Sequence, residues 1–300
     1  MKSSIVKILL ITCLFFHVCG SASSRFEHLT TEDGLSQSTV RCILQDSKGF
    51  IWFGTYDGLN RYDGYTITTY LHDPEDDTTV ASNHISSLFE DSQGNIWVGT
   101  FNQGISQFNP KTGLFKSFND NPTLKTYTHN VDIQTITEDE SGNIWIGTRG
   151  NGIAVYTPST NEVNIFEHDP TDNTTLSSNI VTKVLIDEKQ RIWVATHDGF
   201  NSYDQLNKSF IRFYYEPNNP QTLSDNILSG LAEGKDGIIW IGTSRGGLNK
   251  FNPISETFKS YKNNSQDYTS ISSNKINSIY EDSRGAVSYT HLTLPTTPYV

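Results

Sequence analysis

Cysteine is nearly absent from this 300-residue chain: Cys13, Cys19 and Cys42 are the three it has. The first two lie in an apolar N-terminal stretch that reads as a leader, so a mature chain keeps Cys42 alone and can form no intrachain disulfide. Cys42 sits at an apolar strand position, where a buried, inert thiol is expected. Positive charge is also scarce, with 22 Lys and Arg against 33 Asp and Glu and a formal net charge of -11. Removing Lys2 and Lys7 with the leader takes this to about -13, which argues against nucleic acid and other polyanions as partners of this segment. Past the leader no stretch approaches 18 apolar residues, so no spanning helix is expected within the chain. There is no Gly-rich phosphate loop, serine elbow, kinase motif or zinc spacing. His28, His72, His84, His129, His168 and His197 are scattered, so neither a metal nor a cofactor is expected.

Both ends depart from the middle. Residues 1–22 have the form of a signal peptide: Lys2 and Lys7, an apolar run from Ile8 to Val18, and the small residues Gly20-Ser-Ala22. A lipoprotein leader with Cys19 lipidated is the alternative, and Phe16-His-Val18 is a poor approach to it. At the other end a repeat opens at Asn274-Lys-Ile-Asn-Ser-Ile-Tyr-Glu-Asp-Ser-Arg-Gly285, and Ser288 stands where its Trp should be. Residues 286–300 match no part of the repeat and are expected to be a non-native or disordered tail, which makes the chain a fragment cut within a sixth unit.

What the middle has in abundance is one heptapeptide. It occurs as Gly49-Phe-Ile-Trp-Phe-Gly-Thr55, Gly94-Asn-Ile-Trp-Val-Gly-Thr100, Gly142-Asn-Ile-Trp-Ile-Gly-Thr148, Gln190-Arg-Ile-Trp-Val-Ala-Thr196 and Gly237-Ile-Ile-Trp-Ile-Gly-Thr243. These copies hold every tryptophan, Trp52, Trp97, Trp145, Trp193 and Trp240, at spacings of 45, 48, 48 and 47 residues. A period in that range marks solenoids, propellers or arrays. A bulky ring at the same place in every unit is expected to fill the gap between neighbouring units.

Twelve residues before each Trp stands an apolar residue (Val40, Ile85, Ile133, Val181, Leu228), followed by the period-2 alternation of a strand. Turns such as Asp46-Ser-Lys-Gly49 join it to the Trp strand. A third strand follows, as in Gly58-Leu-Asn-Arg-Tyr62, and then a fourth, as in Phe210-Ile-Arg-Phe-Tyr214. Long polar connections such as Asp73-Pro-Glu-Asp-Asp-Thr-Thr-Val80 lead to the next unit. Each closes on an Asn (Asn83, Asn179, Asn226, Asn274) expected to shape the turn, with Val131 replacing it in the third copy. Four short strands per unit describe a propeller blade. The fold expected over residues 23–285 is thus an all-β propeller of five complete four-stranded blades and a truncated sixth, part of a larger, seven-bladed ring. Arg25 to Leu29 would supply a last strand with no blade of its own, which in a closed ring completes the final blade.

The pattern Asp-x-x-Gly-x-Ile-Trp-x-Gly-Thr followed by Gly-Leu/Ile and an aromatic resembles the two-component regulator propeller repeat. Leu29-Thr-Thr-Glu-Asp-Gly-Leu-Ser-Gln37 is similar to the opening of that family's sensor region. The fourth copy departs at Gln190 and Ala195, which puts its turn geometry in question. The resemblance implies the periplasmic sensor region of a hybrid two-component histidine kinase of the type common in Bacteroidetes. Such proteins pair two propellers with a β-sandwich, a single spanning helix and cytoplasmic kinase and receiver domains, are anchored in the inner membrane, and typically detect glycan fragments to control transcription.

The Asp-x-x-Gly-x-Ile-Trp turn is also near the sialidase Asp-box, but Asp46, Asp91, Asp139 and Asp187 lie six residues before Trp rather than five. Neither pattern makes them catalytic. No catalytic residue is therefore expected, and Asp57 and Asp198, in the same loop of two units, are the only weak pointer to paired acids. Ligand binding is expected on the loop between the second and third strands, at Tyr56, Asp57, Phe101, Asn102, Gln103, Arg149, Asn151, His197, Asp198, Ser244 and Arg245. Aromatic, amide and guanidinium groups there suit an oligosaccharide. A homodimer is expected of the full-length protein, with membrane contact only through a downstream helix. The alternatives are a secreted propeller glycan hydrolase or lyase, and a scaffold for protein partners.

Overall fold

The computed structural model describes residues 28–118, 120–281 and 287–290. The leader and Arg25 to Glu27 of the lone strand lie outside the described residues, as does most of the tail. The chain is all-β, in five antiparallel units whose strands follow sequence order. The first is β1 (Val40–Gln45), β2 (Ile51–Thr55), β3 (Gly58–Tyr62) and β4 (Ile67–Tyr70). The second is β5 (Ile85–Glu90), β6 (Ile96–Gln103), β7 (Ile105–Asn109) and β8 (Leu114–Ser117). A helix, α1 (Pro122–Thr128), leads to the third: β9 (His129–Glu138), β10 (Ile144–Thr148), β11 (Ile153–Thr157) and β12 (Glu162–Phe166). The fourth is β13 (Val181–Ile186), β14 (Ile192–Thr196), β15 (Gly199–Asp204) and β16 (Ser209–Phe213); the fifth is β17 (Leu228–Gly234), β18 (Ile238–Thr243), β19 (Leu248–Asn252) and β20 (Thr257–Tyr261). A hairpin of β21 (Ser278–Glu281) and β22 (Val287–Thr290) follows. The first strand of each unit packs on the first strand of the next, from β1 through β21.

Two expectations are corrected here. Phe101, Asn102 and Gln103 are not loop residues but the end of β6, which pairs with β9 through Phe101↔Asp132 and Gln103↔His129 and merges the second and third units into one sheet. The reason is the third connection: it forms α1, capped by Asn121 Oδ1 accepting from Leu124 N at 3.0 Å, and β9 starts early enough to offer β6 an edge. Of the tail, Val287–Thr290 is a strand rather than disordered; it pairs with β21, and Ser288 lies opposite Tyr280 just as Trp52 lies opposite Leu44.

The tryptophans sit between units. Trp52 stacks on Tyr70 of its own unit at 5.8 Å and meets Phe108 of the next edge-on at 5.3 Å. Trp97 does the same with Phe118 and Tyr156, Trp145 with Phe166 and Tyr203, and Trp193 with Phe200 and Phe251. Each indole is also tied down at its polar end. Nε1 donates at 2.9 Å to the Asp six residues earlier, Asp46, Asp91, Asp139 or Asp187. That carboxylate also accepts two backbone N–H groups of the turn, such as Lys48 N and Phe50 N. The spacing of six is therefore a structural clamp that satisfies a buried donor. The fifth unit has Gly234 in place of the Asp, and Trp240 donates instead to Glu281 of the following hairpin at 2.9 Å.

The next unit also grips the turn. Glu90 accepts from Ser47 N and Oγ, Glu138 from Ser92 N and Oγ, and Glu281 from Lys235 N, all across unit boundaries. The Gly of the heptapeptide has a separate cause: Cβ atoms at Gly54, Gly99, Gly147 and Gly242 would collide with Ile85, Ile133, Val181 and Ile276 of the next unit. In the fourth copy Ala195 packs in the cluster that holds Leu228, whose Cβ is unbranched, and the substitution is accommodated. Gln190 keeps the left-handed turn with φ 61°, close to the 78° of Gly142, so the turn survives without glycine.

Candidate functional site

The heptapeptide Thr closes the loop where ligand residues were expected. Thr55, Thr100, Thr148, Thr196 and Thr243 are buried and donate from Oγ1 to the carbonyl of the Gly that opens the third strand, at 2.8 to 3.0 Å. The connection Asn pins the same corner from the neighbouring unit. Asn83 O accepts from Gly58 N, and its Oδ1 accepts from His72 N at 2.7 Å; Asn179, Asn226 and Asn274 repeat both bonds. The second-to-third-strand loops and the inter-unit connections therefore share one face. His72 and His168 belong to this framework, with Nδ1 set 2.8 and 2.6 Å from the carbonyls of Val80 and Leu176.

The nominated residues fall into three groups. Asp57 and Asp198 accept from the side-chain amides of Asn83 and Asn226 at 3.0 Å, joining adjacent units as corner struts of the first and fourth units. Asn151 is bound to the carbonyl of Tyr127 in α1 at 3.2 Å, and Phe101 to Gln103 are held in β6. Tyr56, Arg149, His197, Ser244 and Arg245 remain on the loop face with side chains at least partly exposed. Arg149 and His197 are neighbours: partial burial first, and the Arg149 charge second, hold the His197 imidazole below its usual value. Tyr56 receives Arg41 Nη1 on its hydroxyl at 3.2 Å, has the guanidinium 5.4 Å from its ring centre, and meets His84 edge-on at 6.0 Å.

The first strands border an open hollow of about 580 Å³, lined by Val40, Arg41, Cys42 and Ile43 of β1, Ser86 to Leu88 of β5, Gln134 to Ile136 of β9, Lys183 of β13 and Ser278 of β21. This volume lies within the range of small-molecule pockets. Cys42 faces it as a free thiol whose burial pushes it up to about 12. Residue-by-residue nomination of loops missed Arg41, Gln134 and Lys183, because they lie on strands. Aligning the first strands would have found Lys183: ten residues before Trp it replaces Cys42, Ser87, Thr135 and Gly230. A second hollow of about 970 Å³ lies on the opposite face, among the Asp-Gly turns and the third-to-fourth-strand turns, with Lys48, Gln93, Lys111 and Glu140 around it. A third, of about 300 Å³, lies between the third and fourth units beside Trp145, Phe166 and Tyr203. Among the described residues no group of three or more His, Cys, Asp or Glu could hold a metal, and no helix is long and apolar enough to cross a membrane.

Four segments, residues 34–57, 79–102, 127–150 and 222–245, match the family model for the two component regulator propeller. They contain Trp52, Trp97, Trp145 and Trp240. Over 56 residues the chain is 50% identical to histidine kinase P4 of Formosa agariphila, which covers 19% of this chain and 4% of that protein. Among solved structures, the extracellular domain of BT3049 from B. thetaiotaomicron, described as a hybrid two component system, is 20% identical with a TM-score of 0.62. That match covers 88% of this chain and 40% of the other. Virginiamycin B lyase from Staphylococcus aureus is 15% identical with a TM-score of 0.55, over 84% of each chain. At such identities the two structures share the propeller fold with this chain and nothing finer. The chain spans less than half the length of either sensor-type relative.

Proposed function

We propose that this chain, which carries the repeats of the two-component regulator propeller family, is the ligand-sensing propeller segment of a hybrid two-component sensor and acts in the periplasm. On this reading it is exported, belongs to a longer protein anchored in the inner membrane by a downstream helix, and is not itself catalytic. The hairpin β21–β22, with its residues in the register of a Trp strand, is read as the opening of a sixth blade in a seven-bladed ring. The ligand is an oligosaccharide, bound on the loop face, and the full-length protein works as a homodimer that passes the event to a kinase.

The observation that carries the reading is the repeat itself, matched to the family in four places and attached to a rigid framework that displays unlike residues at one corner. Tyr56, Arg149, His197, Ser244 and Arg245 occupy equivalent corners, held by the same Thr-Gly and Asn bonds while differing in chemistry. A rigid frame with variable corners is how loops carry recognition. A ligand preferring one arrangement of two would then drive the signal. Binding of the chain to an oligosaccharide array, followed by thermal shift, tests this. A restricted set of sugars raising the melting temperature is expected. Release of product from any of them, or a protein partner captured with no sugar binding at all, would refute it.

A further inference from the structure

The cavity bounded by the first strands has a chemistry of its own. At the position ten residues before the Trp, or before Ser288 in the last hairpin, those strands carry Cys42, Ser87, Thr135, Gly230 and Ser278, all small. A Cβ built on Gly230 meets nothing within 4 Å, so the space there is open. Lys183 is the exception, and its side chain reaches into this space. Burial holds its ammonium below the usual lysine value, and no hydrogen bond or ion pair joins Nζ to another described residue; Arg191–Asp187 is the one salt bridge among them. Ser87, on the same wall, keeps its Oγ buried against Gly99, where it has no partner. Arg41 enters the lining from β1, its guanidinium engaged only with the Tyr56 hydroxyl and ring. Among the described residues no Asp or Glu lines the cavity. The carboxylate tied to the lining is Asp132, whose Oδ2 accepts from Gln134 Nε2 at 2.6 Å. In a protein with 11 more acids than bases, a chamber faced by two cations and lined by no acid is a local inversion of charge.

We propose that this hollow is an anion site, in which Lys183 Nζ donates to an oxygen of a carboxylate or sulfate group. The ammonium has no carboxylate partner among the described residues, and charge-assisted bonds to an anion are the strong ones. The small side chains around Lys183 leave room for the ligand, and Arg41 at the rim draws it in by its field. The inference rests on the channel rather than on the loop face, and it holds whether or not the bound molecule is a sugar.

The test is calorimetry on the full chain and its Lys183→Met and Lys183→Thr variants, with trigalacturonate, sodium sulfate and maltotriose as probes at constant ionic strength. Met keeps the length without the charge, and Thr is the residue of the third unit; circular dichroism checks that each variant folds. Trigalacturonate or sulfate is expected to bind the natural chain, and both variants to lose at least 10-fold in affinity. Binding of trigalacturonate alone identifies a carboxylate site, and binding of sulfate as well a general oxyanion site. If neither anion binds, or if both variants bind as tightly as the natural chain, the proposal is overturned. Maltotriose binding that is indifferent to Lys183, with neither anion bound, would leave the oligosaccharide reading standing and sink this one.

Discussion

Asp91→Ala is expected to destabilise the protein by about 2–6 kcal/mol, about half of it from one buried indole. Asp91 Oδ2 accepts Trp97 Nε1 at 2.9 Å, and Trp97 is 1% exposed, so the truncated variant leaves a donor that water cannot reach. An unsatisfied buried donor costs about 1–3 kcal/mol. The same carboxylate accepts Gln93 N at 3.0 Å and Asn95 N at 2.8 Å, and losing these two bonds adds about 1–3 kcal/mol. Asn95 Nδ2 and Gln107 Nε2 also donate to it but are part-buried and can turn to solvent. Against a total of roughly 5–15 kcal/mol for a domain, that is a large fraction. Asp91→Asn keeps one acceptor for the turn and presents an amide N–H group to the indole, so about half the loss is expected. Urea titration followed by tryptophan fluorescence, with circular dichroism as a second probe of two-state behaviour, reads both. If Asp91→Ala costs under about 1 kcal/mol, the clamp is not what holds the indole and the reasoning fails.

Glu281→Ala should release both Trp240 Nε1 and Lys235 N, and lower stability by about 2–3 kcal/mol, whereas Glu90→Ala, which spares the Trp52–Asp46 bond, should cost about half as much in the same titration. Gly99→Ala places a Cβ against Ile133 and Ser87; a loss of about 1–3 kcal/mol is expected, and a neutral result would show that the neighbouring units are not in close contact there. Cys42 should resist iodoacetamide at pH 8 and react at least 100-fold faster in urea, because burial pushes the thiol up to about 12. The sign follows: the folded chain keeps the thiol protonated, so this contribution is complete below about pH 9 and is lost as pH rises towards 12, and Cys42→Ser should flatten the alkaline edge of a stability-against-pH curve.

Most of the fold was legible in the sequence because a repeat states every contact several times. Trp52, Trp97, Trp145 and Trp193 each touch an aromatic residue of their own unit and one of the next, and regular spacing is enough to predict that. Period-2 alternation gave the first strands, and the Asp-Gly turns gave the hairpins. What the pattern hid was the relation between units. The Asp that precedes Trp by six residues was visible as a turn former but not as the acceptor for the indole, since a hydrogen bond back across a hairpin has no signature in spacing alone. The extension of β6 to Gln103 was hidden because it depends on α1, a local sequence event that shifts where β9 begins. Gln190 and Ala195 looked like damage to the fourth copy. Each is tolerated for a reason outside that copy's motif: a left-handed φ that Gln can adopt, and a Leu228 neighbour without a branched Cβ.

The site was harder to read, and the cause is the same symmetry. Nomination by loop position selected Asp57 and Asp198, each of which accepts through Oδ1 from the side chain of Asn83 or Asn226 and so also has a structural role. A repeated residue in a repeat protein is there because every interface needs it, so recurrence argues for structure. Function is to be sought where one copy differs from the rest without a structural return. Val131 and Gly234 differ and are compensated, by α1 and by Glu281. Lys183 differs and is not: a cation stands where four other units place Cys, Ser, Thr and Gly, in a space that no carboxylate among the described residues lines. In a repeat protein an uncompensated departure of that kind is the place to test for binding.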